Sequence, residues 1–314
     1  IDLNHRYALD GRDPASYGGL LWCFGLFDRA FKPPSRSFGV VRPRTTVEHK
    51  RRVNLPSLLK HVDRPRHRRM PNVAVVGAGM AGLACARVLK DHGLNVEVFD
   101  KGWNVGGRMS TRLSREDSRW VVDHSTPSFH CTDKRFLLRV KSWEQHGLVS
   151  EWKAPIGDLT RSGEFIEAST PRCHYVGTPK MNAIAEHLAK DLKVHTQTRI
   201  DKLQRHQHKW NLASGEDVKS HGVFDEIVIT APAQQTRELL PDRIQLPWLT
   251  NHLNSKGCLT VMMRLNKYLD IPWGMVRCEH PILSLVVQEN TKPGRNEGQL
   301  WILHAMGEWA NANL

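Results

Sequence analysis

A short apolar stretch at residues 73–76 runs directly into three glycines with the spacing G-x-G-x-x-G. Gly77 permits a tight turn out of a strand, and Gly79 lets the backbone approach a bound pyrophosphate closely. Gly82 lets a following helix pack against the sheet. This spacing, directly after a predicted strand, therefore predicts a turn that binds the linked phosphates of a dinucleotide.

The chain after this turn has the pattern of an amphipathic helix, with apolar residues at spacings of three, four and seven from Ala81 to Val88. The N-terminus of a helix presents N–H groups and about half an elementary positive charge to an anion. We therefore predict that the cofactor contacts the turn and the first helical residues, namely Gly77, Ala78, Gly79, Met80, Ala81 and Gly82.

A carboxylate follows at the end of the second predicted strand, which covers residues 95–100. Asp100 stands where a carboxylate accepts hydrogen bonds from a ribose diol. An acid at this place repels a 2′-phosphate, which argues against NADP as the ligand. Lys101, the next residue, is also predicted to contact the cofactor.

A second glycine pair begins six residues after Asp100, in the sequence G-G-R-M-S-T at 106–111. Gly106 and Gly107 allow a close approach to the pyrophosphate from its far side, and Arg108 supplies a charge-assisted contact. Met109 is predicted to lie beside it. This second set of contacts favours FAD over NAD.

The predicted elements alternate between strands and helices along the chain. The strands at 73–76 and 224–232 are expected to be buried and parallel, and Gly93 is expected to end the first helix. Residues 194–214 have the pattern of paired strands. Helices are predicted at 80–91, 134–146 and 180–190. The chain is therefore expected to be an α/β protein with an antiparallel insertion.

The formal net charge of +13 comes almost entirely from one segment. Residues 29–69 contain thirteen Lys and Arg against two acidic residues, a net +11. Clustered basic residues contact nucleic-acid phosphates without sequence preference, so non-specific DNA contact through 29–69 is one interpretation. A solvated linker is the other.

Six cysteines are scattered along the chain without the spacing of a metal site. This usage is typical of a reducing compartment with buried, inert thiols. We find no apolar run of the ~20 residues that a membrane span needs and no signal-peptide pattern. The sequence therefore predicts a cytoplasmic protein with no metal site and no membrane contact.

The glycine turn, the following acid and G-G-R-M-S-T together resemble the FAD-binding start of the flavin amine oxidase superfamily, nearest to its renalase-like branch. Residues 121–136, 175–189 and 301–314 resemble later segments of that family. The resemblance covers residues 70–314. This sequence departs from the family pattern at Ser125, Thr126 and Pro127. These residues replace a glycine-containing run and are expected to crowd the cofactor.

The resemblance implies a Rossmann-like FAD domain with a smaller antiparallel α+β substrate domain, which is C-terminally incomplete because the family's last glycine-rich motif is absent. It makes residues 194–200 a further FAD-contacting strand, with Arg199 and Ile200 near the adenine, and Ala231 is a further cofactor contact. It also implies hydride transfer to the flavin from a reduced small molecule, either dihydronicotinamide-like or an amine, with molecular oxygen as the acceptor. No catalytic residue is assigned. His124 and His130 are interpreted as hydrogen-bonded structural residues.

Residues 3–42 resemble a different family, the C-terminal tail of class II DNA photolyases. By that resemblance Asn4, Asp10, Arg12 and Asp13 belong to a flavin pocket. The resemblance also places Trp22 on an aromatic electron path, but core packing is the favoured interpretation of this residue. Asp28 and Arg29 lie near the cofactor or the DNA face.

The predicted organisation has five parts: a helical photolyase-like fragment at 1–45, a basic linker at 46–70, the FAD domain at 71–172 with the start of the substrate insertion, its second part at 173–235, and a truncated substrate domain at 236–314. The leading hypothesis is an FAD-dependent oxidoreductase. The alternatives are a photolyase tail fused to an oxidoreductase and an inactive truncated chain.

Overall fold

The structure is a computed structural model that describes residues 69–114, 120–169, 172–241, 244 and 255–313. The predictions for residues 1–68 lie outside the described residues. They include the photolyase-like fragment at 1–45, nearly all of the basic linker at 46–70 and nearly all of the segment proposed to contact DNA.

The part of the chain that the structure describes contains seventeen strands and five helices. The strands are β1 (Asn72–Val76), β2 (Asn95–Phe99), β3 (Arg112–Leu113), β4 (Val121–Val122), β5 (Val149–Trp152), β6 (Ile156–Leu159), β7 (Phe165–Glu167), β8 (His174–Gly177), β9 (Lys193–His195), β10 (Lys202–His206), β11 (Lys209–Ser214), β12 (Lys219–Phe224), β13 (Glu226–Ile229), β14 (Thr260–Leu265), β15 (Met275–Cys278), β16 (Leu283–Gln288) and β17 (Gln299–Ala305). The helices are α1 (Met80–Asp91), α2 (Lys134–Gln145), α3 (Ala183–Ala189), α4 (Ala233–Leu239) and α5 (Gly307–Ala312). None of these helices has the length and apolar character needed to cross a membrane.

A parallel four-stranded sheet carries the glycine turn, in the strand order β13-β1-β2-β9. β1 lies at an inner position between β13 and β2, and Val73, Ala74 and Val75 are completely buried. A parallel strand covered on both faces has no polar side, which explains its unbroken apolar run. The prediction of a buried strand at 73–76 is confirmed.

Helix α1 follows the turn and covers one face of this sheet. It begins at Met80 and ends at Asp91, as predicted. The N–H of Gly93 donates to the carbonyl oxygen of Lys90 at 2.8 Å, and Gly93 has a φ of 82°. Glycine adopts this left-handed conformation at a helix end without the strain that a Cβ brings.

Two of the predicted elements near the sheet are shorter than expected. The strand expected at 194–200 ends at His195, because Gln197 takes a φ of 52° and its N–H donates to the carbonyl oxygen of Gly102. The helix expected at 180–190 begins only at Ala183. The N–H of Met181, two residues before this helix, donates to the buried carboxylate of Asp123 at 3.0 Å.

The strand expected at 224–232 is also different from the prediction. Phe224 belongs to β12, where it pairs with Trp210 of β11, and the parallel strand β13 begins only at Glu226. β13 is half-buried because it lies at the edge of the sheet and pairs with β1 alone. The paired strands expected before it are confirmed as the antiparallel pair β10 and β11.

A six-stranded sheet in the order β14-β17-β16-β15-β6-β7 forms the second layer. All of its strand pairs are antiparallel except the pair of β15 with β6. Met275, Val287 and Ile302 on this sheet belong to the same buried cluster as Val75 of the parallel sheet and Leu83 of α1. One continuous apolar core therefore joins the two layers, and the α/β fold with an antiparallel second sheet is confirmed.

The cysteines depart from the expectation of buried thiols. Cys85 is buried in α1, and burial raises the pKa of its thiol to about 11. Cys173 and Cys258, however, are exposed, because both stand on irregular segments just before a strand begins. Cys131 and Cys278 are intermediate. The sixth, Cys23, lies outside the described residues.

Candidate cofactor site

The turn between β1 and α1 is shaped by close backbone contacts. Gly77 has a φ of 111°, and a Cβ on Gly82 would lie 1.8 Å from the carbonyl oxygen of Gly77. The hydroxyl of Thr230, at the end of β13, lies 3.1 Å and 3.2 Å from the carbonyl oxygens of Val76 and Gly77. The backbone nitrogen of Ala231 would lie 3.6 Å from a Cβ on Gly77. The protein's own packing thus requires glycine at 77 and 82.

Gly79 has open space where its side chain would be. Its φ of −75° and ψ of 178° suit any residue, and the nearest atom to an added Cβ is the Cα of Gly107 at 3.9 Å. Gly79 is the N-cap of α1, and no side chain caps this helix end. Neither packing nor conformation requires glycine here. The space instead fits an anion that lies against the helix N-terminus.

The second glycine pair lies directly against this turn. The N–H of Gly106 donates to the carbonyl oxygen of Ala78 at 2.9 Å, and a Cβ on Gly107 would lie 3.2 Å from the Cα of Gly79. Gly106 and Gly107 have φ values of 120° and 55°. The fold therefore brings the two predicted glycine segments together at the N-terminus of α1.

Asp100 holds both loops in place through its carboxylate. Its Oδ2 accepts a hydrogen bond from the N–H of Ala78 at 2.6 Å, and its Oδ1 accepts one from the N–H of Gly102 at 2.7 Å. An ionised carboxylate offers about four acceptor positions, which leaves capacity for a ribose hydroxyl. The sequence analysis did not predict that the Asp100 carboxylate also shapes the glycine turn.

Five further predicted residues surround these loops. Lys101 and Arg108 are exposed, and the Arg108 guanidinium has no hydrogen-bond partner among the residues that the structure describes. Met80 and Met109 are half-buried and pack against the main core. Ala81 is half-buried in the first turn of α1. Arg108 is thus a basic group available to a ligand at this turn.

Arg199 and Ile200 differ in the exposure of their side chains. The N–H of Thr198 donates to the carbonyl oxygen of Asp100 at 2.8 Å, so the loop after β9 lies on Asp100. Arg199, the next residue, is exposed. Ile200 is 8% exposed and packs with Phe99 in a small core cluster. The side chain of Ile200 therefore serves core packing, while that of Arg199 remains accessible.

Four charged side chains form a buried cluster that the sequence reasoning missed. Asp123, Glu289, Lys292 and Arg295 have side-chain exposures of 1% or less. Lys292 Nζ lies 2.7 Å from Glu289 Oε2 and 3.3 Å from Asp123 Oδ2, and Arg295 contacts both carboxylates. The charges sum to zero, which offsets the cost of burying each one. The spacing E-x-x-K-x-x-R at 289–295 was the available signal.

This cluster links the glycine loops to the second sheet. Burial alone would raise the pKa of Asp123, but Lys292 and Arg295 hold that pKa well below its usual range. Its Oδ1 accepts hydrogen bonds from the Thr111 hydroxyl at 2.7 Å and from the N–H of Met181 at 3.0 Å. Because Thr111 ends the G-G-R-M-S-T sequence, the ionised Asp123 anchors the end of that loop.

His124 and His304 lie where the chain after Asp123 meets β17. His304 Nε2 is 3.0 Å from the carbonyl oxygen of His124, and His124 Nε2 is 3.5 Å from the Ser110 hydroxyl. Burial lowers the pKa of both imidazoles, which favours their neutral forms. His124 Nδ1 is buried without a hydrogen-bond partner among the described residues. A structural role for His124, as expected, explains the contact of its Nε2 but not the burial of its Nδ1 without a partner.

Comparison with known proteins agrees with this geometry. Residues 75–140 match the family model of an NAD(P)-binding Rossmann-like domain. This range includes both glycine segments and Asp100, and it begins within β1, after Val73 and Ala74. The mitochondrial protoporphyrinogen oxidase of Nicotiana tabacum is 38% identical over 73 residues, 23% of this chain and 14% of that protein. A solved triple mutant of putrescine oxidase has the same fold, with a TM-score of 0.57 and 12% identity over 77% of each chain.

A relative of another kind is also similar to part of the chain. The deoxyribodipyrimidine photo-lyase of Methanothermobacter thermautotrophicus is 42% identical over 64 residues, 20% of this chain and 14% of that protein. The chain thus spans about a seventh of each of these two curated relatives. Taken together, the matches show that residues 75–140 form an NAD(P)-binding Rossmann-like domain and that the described part of the chain shares its fold with a solved putrescine oxidase.

Proposed function

We propose that this protein is an FAD-dependent oxidoreductase of the renalase-like branch of the flavin amine oxidases. The observation that carries the proposal is the contact of the two glycine segments at an uncapped helix N-terminus, with open space at Gly79. A dinucleotide pyrophosphate needs backbone approach from both sides, and this arrangement offers it.

The residues that would hold FAD follow from this geometry. Gly79 and the N-terminus of α1 would contact one side of the pyrophosphate, and Gly107 with Arg108 the other. Asp100 would accept a hydrogen bond from the ribose, and Arg199 is accessible nearby. When bound, the flavin supplies the capacity to accept a hydride.

The chain's own residues position the segment that follows the second glycine pair. The Thr126 hydroxyl donates to the carbonyl oxygen of Arg108 at 2.8 Å, and His304 contacts the backbone of His124 from the second sheet. The side chain of Thr126 is therefore used to hold the Arg108 loop. This segment and the facing sheet are proposed to enclose the reacting part of the substrate and exclude water from it.

The proposed substrate is a reduced small molecule, either dihydronicotinamide-like or an amine, with molecular oxygen as the acceptor and hydrogen peroxide as the product. The fold of a putrescine oxidase structure supports the amine alternative. The resemblance of residues 70–314 to the renalase-like branch supports the dihydronicotinamide alternative. We assign no general base.

The first experiment is to purify the protein, denature it and identify the released cofactor by chromatography. We expect about one FAD per chain. Peroxide release is then measured with a panel of dihydronicotinamide compounds and amines. A full-length protein that is colourless and takes up no added FAD would contradict the proposal.

A second candidate function rests on the resemblance of residues 1–45 to a photolyase tail. A match of 42% identity over 64 residues of the chain with a photo-lyase is in keeping with it. In this alternative the chain carries a photolyase tail, and the basic residues 29–69 contact DNA phosphates. It predicts binding to ultraviolet-damaged DNA that weakens with salt. DNA binding that is unchanged after removal of residues 1–69 would rule this candidate out.

A further inference from the structure

Residues 123–126 connect the second sheet with the proposed cofactor site. They follow β4 without forming a helix or strand of their own, so no ladder of backbone hydrogen bonds fixes their conformation. Backbone N–H and carbonyl groups that are shielded from water need partners from elsewhere in the fold. The conformation of this stretch, which we call the linking segment, therefore depends on contacts with other parts of the chain.

The second layer supplies partners for the backbone at the start of the linking segment. The N–H of Asp123 donates to Glu289 Oε1 at 3.1 Å, and His304 Nε2 lies 3.0 Å from the carbonyl oxygen of His124. Glu289 directly follows β16, and His304 belongs to β17. The linking segment is thus held from the second sheet through its own peptide groups.

His304 is well suited to hold a carbonyl oxygen in a fixed place. Only a ring nitrogen that carries a hydrogen can donate to a carbonyl, so Nε2 is the protonated nitrogen of this imidazole. β17 lies between β14 and β16, and His304 pairs with Thr260 on one side and Leu285 on the other. The donor therefore stands on a backbone that is fixed from both sides.

The linking segment also contacts the second glycine segment at two points. The Thr126 hydroxyl donates to the carbonyl oxygen of Arg108 at 2.8 Å, and the Thr111 hydroxyl donates to Asp123 Oδ1 at 2.7 Å. Arg108 and Thr111 both belong to the sequence G-G-R-M-S-T. A displacement of the linking segment would therefore move the loop that is proposed to contact the pyrophosphate.

We infer that His304 is a positioning residue for the proposed cofactor site. It holds the linking segment against the second sheet, and the linking segment holds residues 108–111 in the conformation that contacts FAD. Without the bond from His304, this loop also populates other conformations, and the apparent affinity falls with the fraction of chains that can bind. The effect on FAD rests on the proposed function, whereas the effect on the order of the loop does not.

The first test compares the FAD affinity of two variants with that of the wild type, each as the full chain. Each apoprotein is titrated with FAD, and binding is followed through the quenching of flavin fluorescence. H304L removes the donor and is expected to weaken FAD binding roughly tenfold. H304Q keeps an N–H donor and is expected to restore most of the affinity. The inference is overturned if H304L binds FAD as tightly as the wild type, or if H304Q binds it as weakly as H304L.

Gln299 provides a matched control on the same strand. It is buried, and its Oε1 accepts a hydrogen bond from the indole nitrogen of Trp301 at 3.1 Å, within β17. Q299L is therefore expected to perturb β17 without weakening FAD binding. Equal losses of affinity in Q299L and H304L would show a general effect of damage to the sheet and would overturn the inference.

A double variant tests whether His304 acts through the linking segment. T126V removes the hydroxyl that bonds to Arg108 and nearly preserves the shape of the side chain. If both residues act on the same loop, H304L should weaken FAD binding less in the T126V background than in the wild type. Additive losses would show that His304 acts by another route and would overturn the inference.

Hydrogen exchange of the apoprotein tests the order of the loop in the absence of FAD. The N–H of Met109 donates to the carbonyl oxygen of Gly106 at 2.9 Å. Residues 106–111 should exchange faster in H304L than in the wild type or Q299L, because the loop opens more often. Unchanged exchange would overturn the inference. If exchange is faster in H304L but the wild-type chain takes up no FAD, the proposed function fails while the role of His304 in ordering the loop stands.

Discussion

The backbone of Gly107 lies so close to Gly79 that a Cβ on Gly107 would be 3.2 Å from the Cα of Gly79. The two residues belong to different glycine segments, and they meet at the N-terminus of α1. Side-chain atoms on either residue would enter the space between the segments. Gly107 has a φ of 55°, whereas the conformation of Gly79 suits any residue, so substitution of Gly79 tests cofactor binding separately from folding.

Gly79→Val is expected to abolish FAD binding while changing the free energy of unfolding by only about 1 kcal/mol. The backbone conformation of Gly79 suits valine, and its nearest neighbour would be 3.9 Å from the new Cβ. FAD content after purification and urea unfolding of the apoprotein are the measurements. A variant that still copurifies with FAD would show that the cofactor is placed wrongly.

Gly82→Ala, unlike Gly79→Val, is expected to destabilise the fold itself. Its Cβ would lie 1.8 Å from the carbonyl oxygen of Gly77, so the turn or the helix has to shift. We expect a loss of about 3 kcal/mol in the free energy of unfolding. Unchanged stability would mean that the turn tolerates a displacement that this packing does not suggest.

Asp100→Ala is expected to destabilise the glycine loops and to weaken FAD binding. It leaves the N–H groups of Ala78 and Gly102 without their acceptor, and an unsatisfied buried polar group costs about 1–3 kcal/mol. Asp217→Ala, at an exposed turn, serves as the control. FAD affinity and thermal unfolding are compared, and equal behaviour of the two variants would refute the role of Asp100.

Lys292→Met is expected to reduce the free energy of unfolding by about 3–5 kcal/mol, because it leaves two buried carboxylates with one cation. Lys256 forms an ion pair with Glu308 on the surface, with side-chain exposures of 61% and 81%. Lys256→Met should therefore cost less than about 1 kcal/mol. Urea unfolding of both variants measures the difference, and similar midpoints would show that the buried cluster contributes little.

Stability is expected to fall as the pH falls from about 6.5 toward about 4, in part because of His174. Its pKa is lowered from 6.5 to about 4 in the folded protein, so in this range the unfolded chain binds a proton that the folded chain does not. The contribution is complete above the unfolded pKa and is lost on acidification. Burial lowers the pKa of His124 and His304 in the same direction.

The measurement for this prediction is the midpoint of urea unfolding at a series of pH values between about 6.5 and about 4. His174→Gln should show a smaller loss of stability on acidification than the wild type, because its side chain does not titrate. An identical pH profile for the two proteins would exclude His174 as a contributor.

Local patterns determined much of the parallel sheet and its first helix. β1 and α1 lie where the apolar run, the glycine spacing and Gly93 predict them, because each of these signals acts over a few residues. The two glycine segments were also recognised as parts of one site. The spacing of their glycines is a local signal that can be interpreted without the rest of the chain.

Only the tertiary structure decided features that depend on distant partners. Phe224 pairs with Trp210 in β12 instead of beginning the parallel strand β13, and the N–H of Met181 bonds to Asp123, 58 residues earlier in the chain. The side chain of Ile200, a residue expected near the adenine, packs with Phe99 in the core. The buried cluster joins Asp123 to Lys292 across 169 residues. No local pattern encodes such contacts, because they form only when both sheets pack around one core.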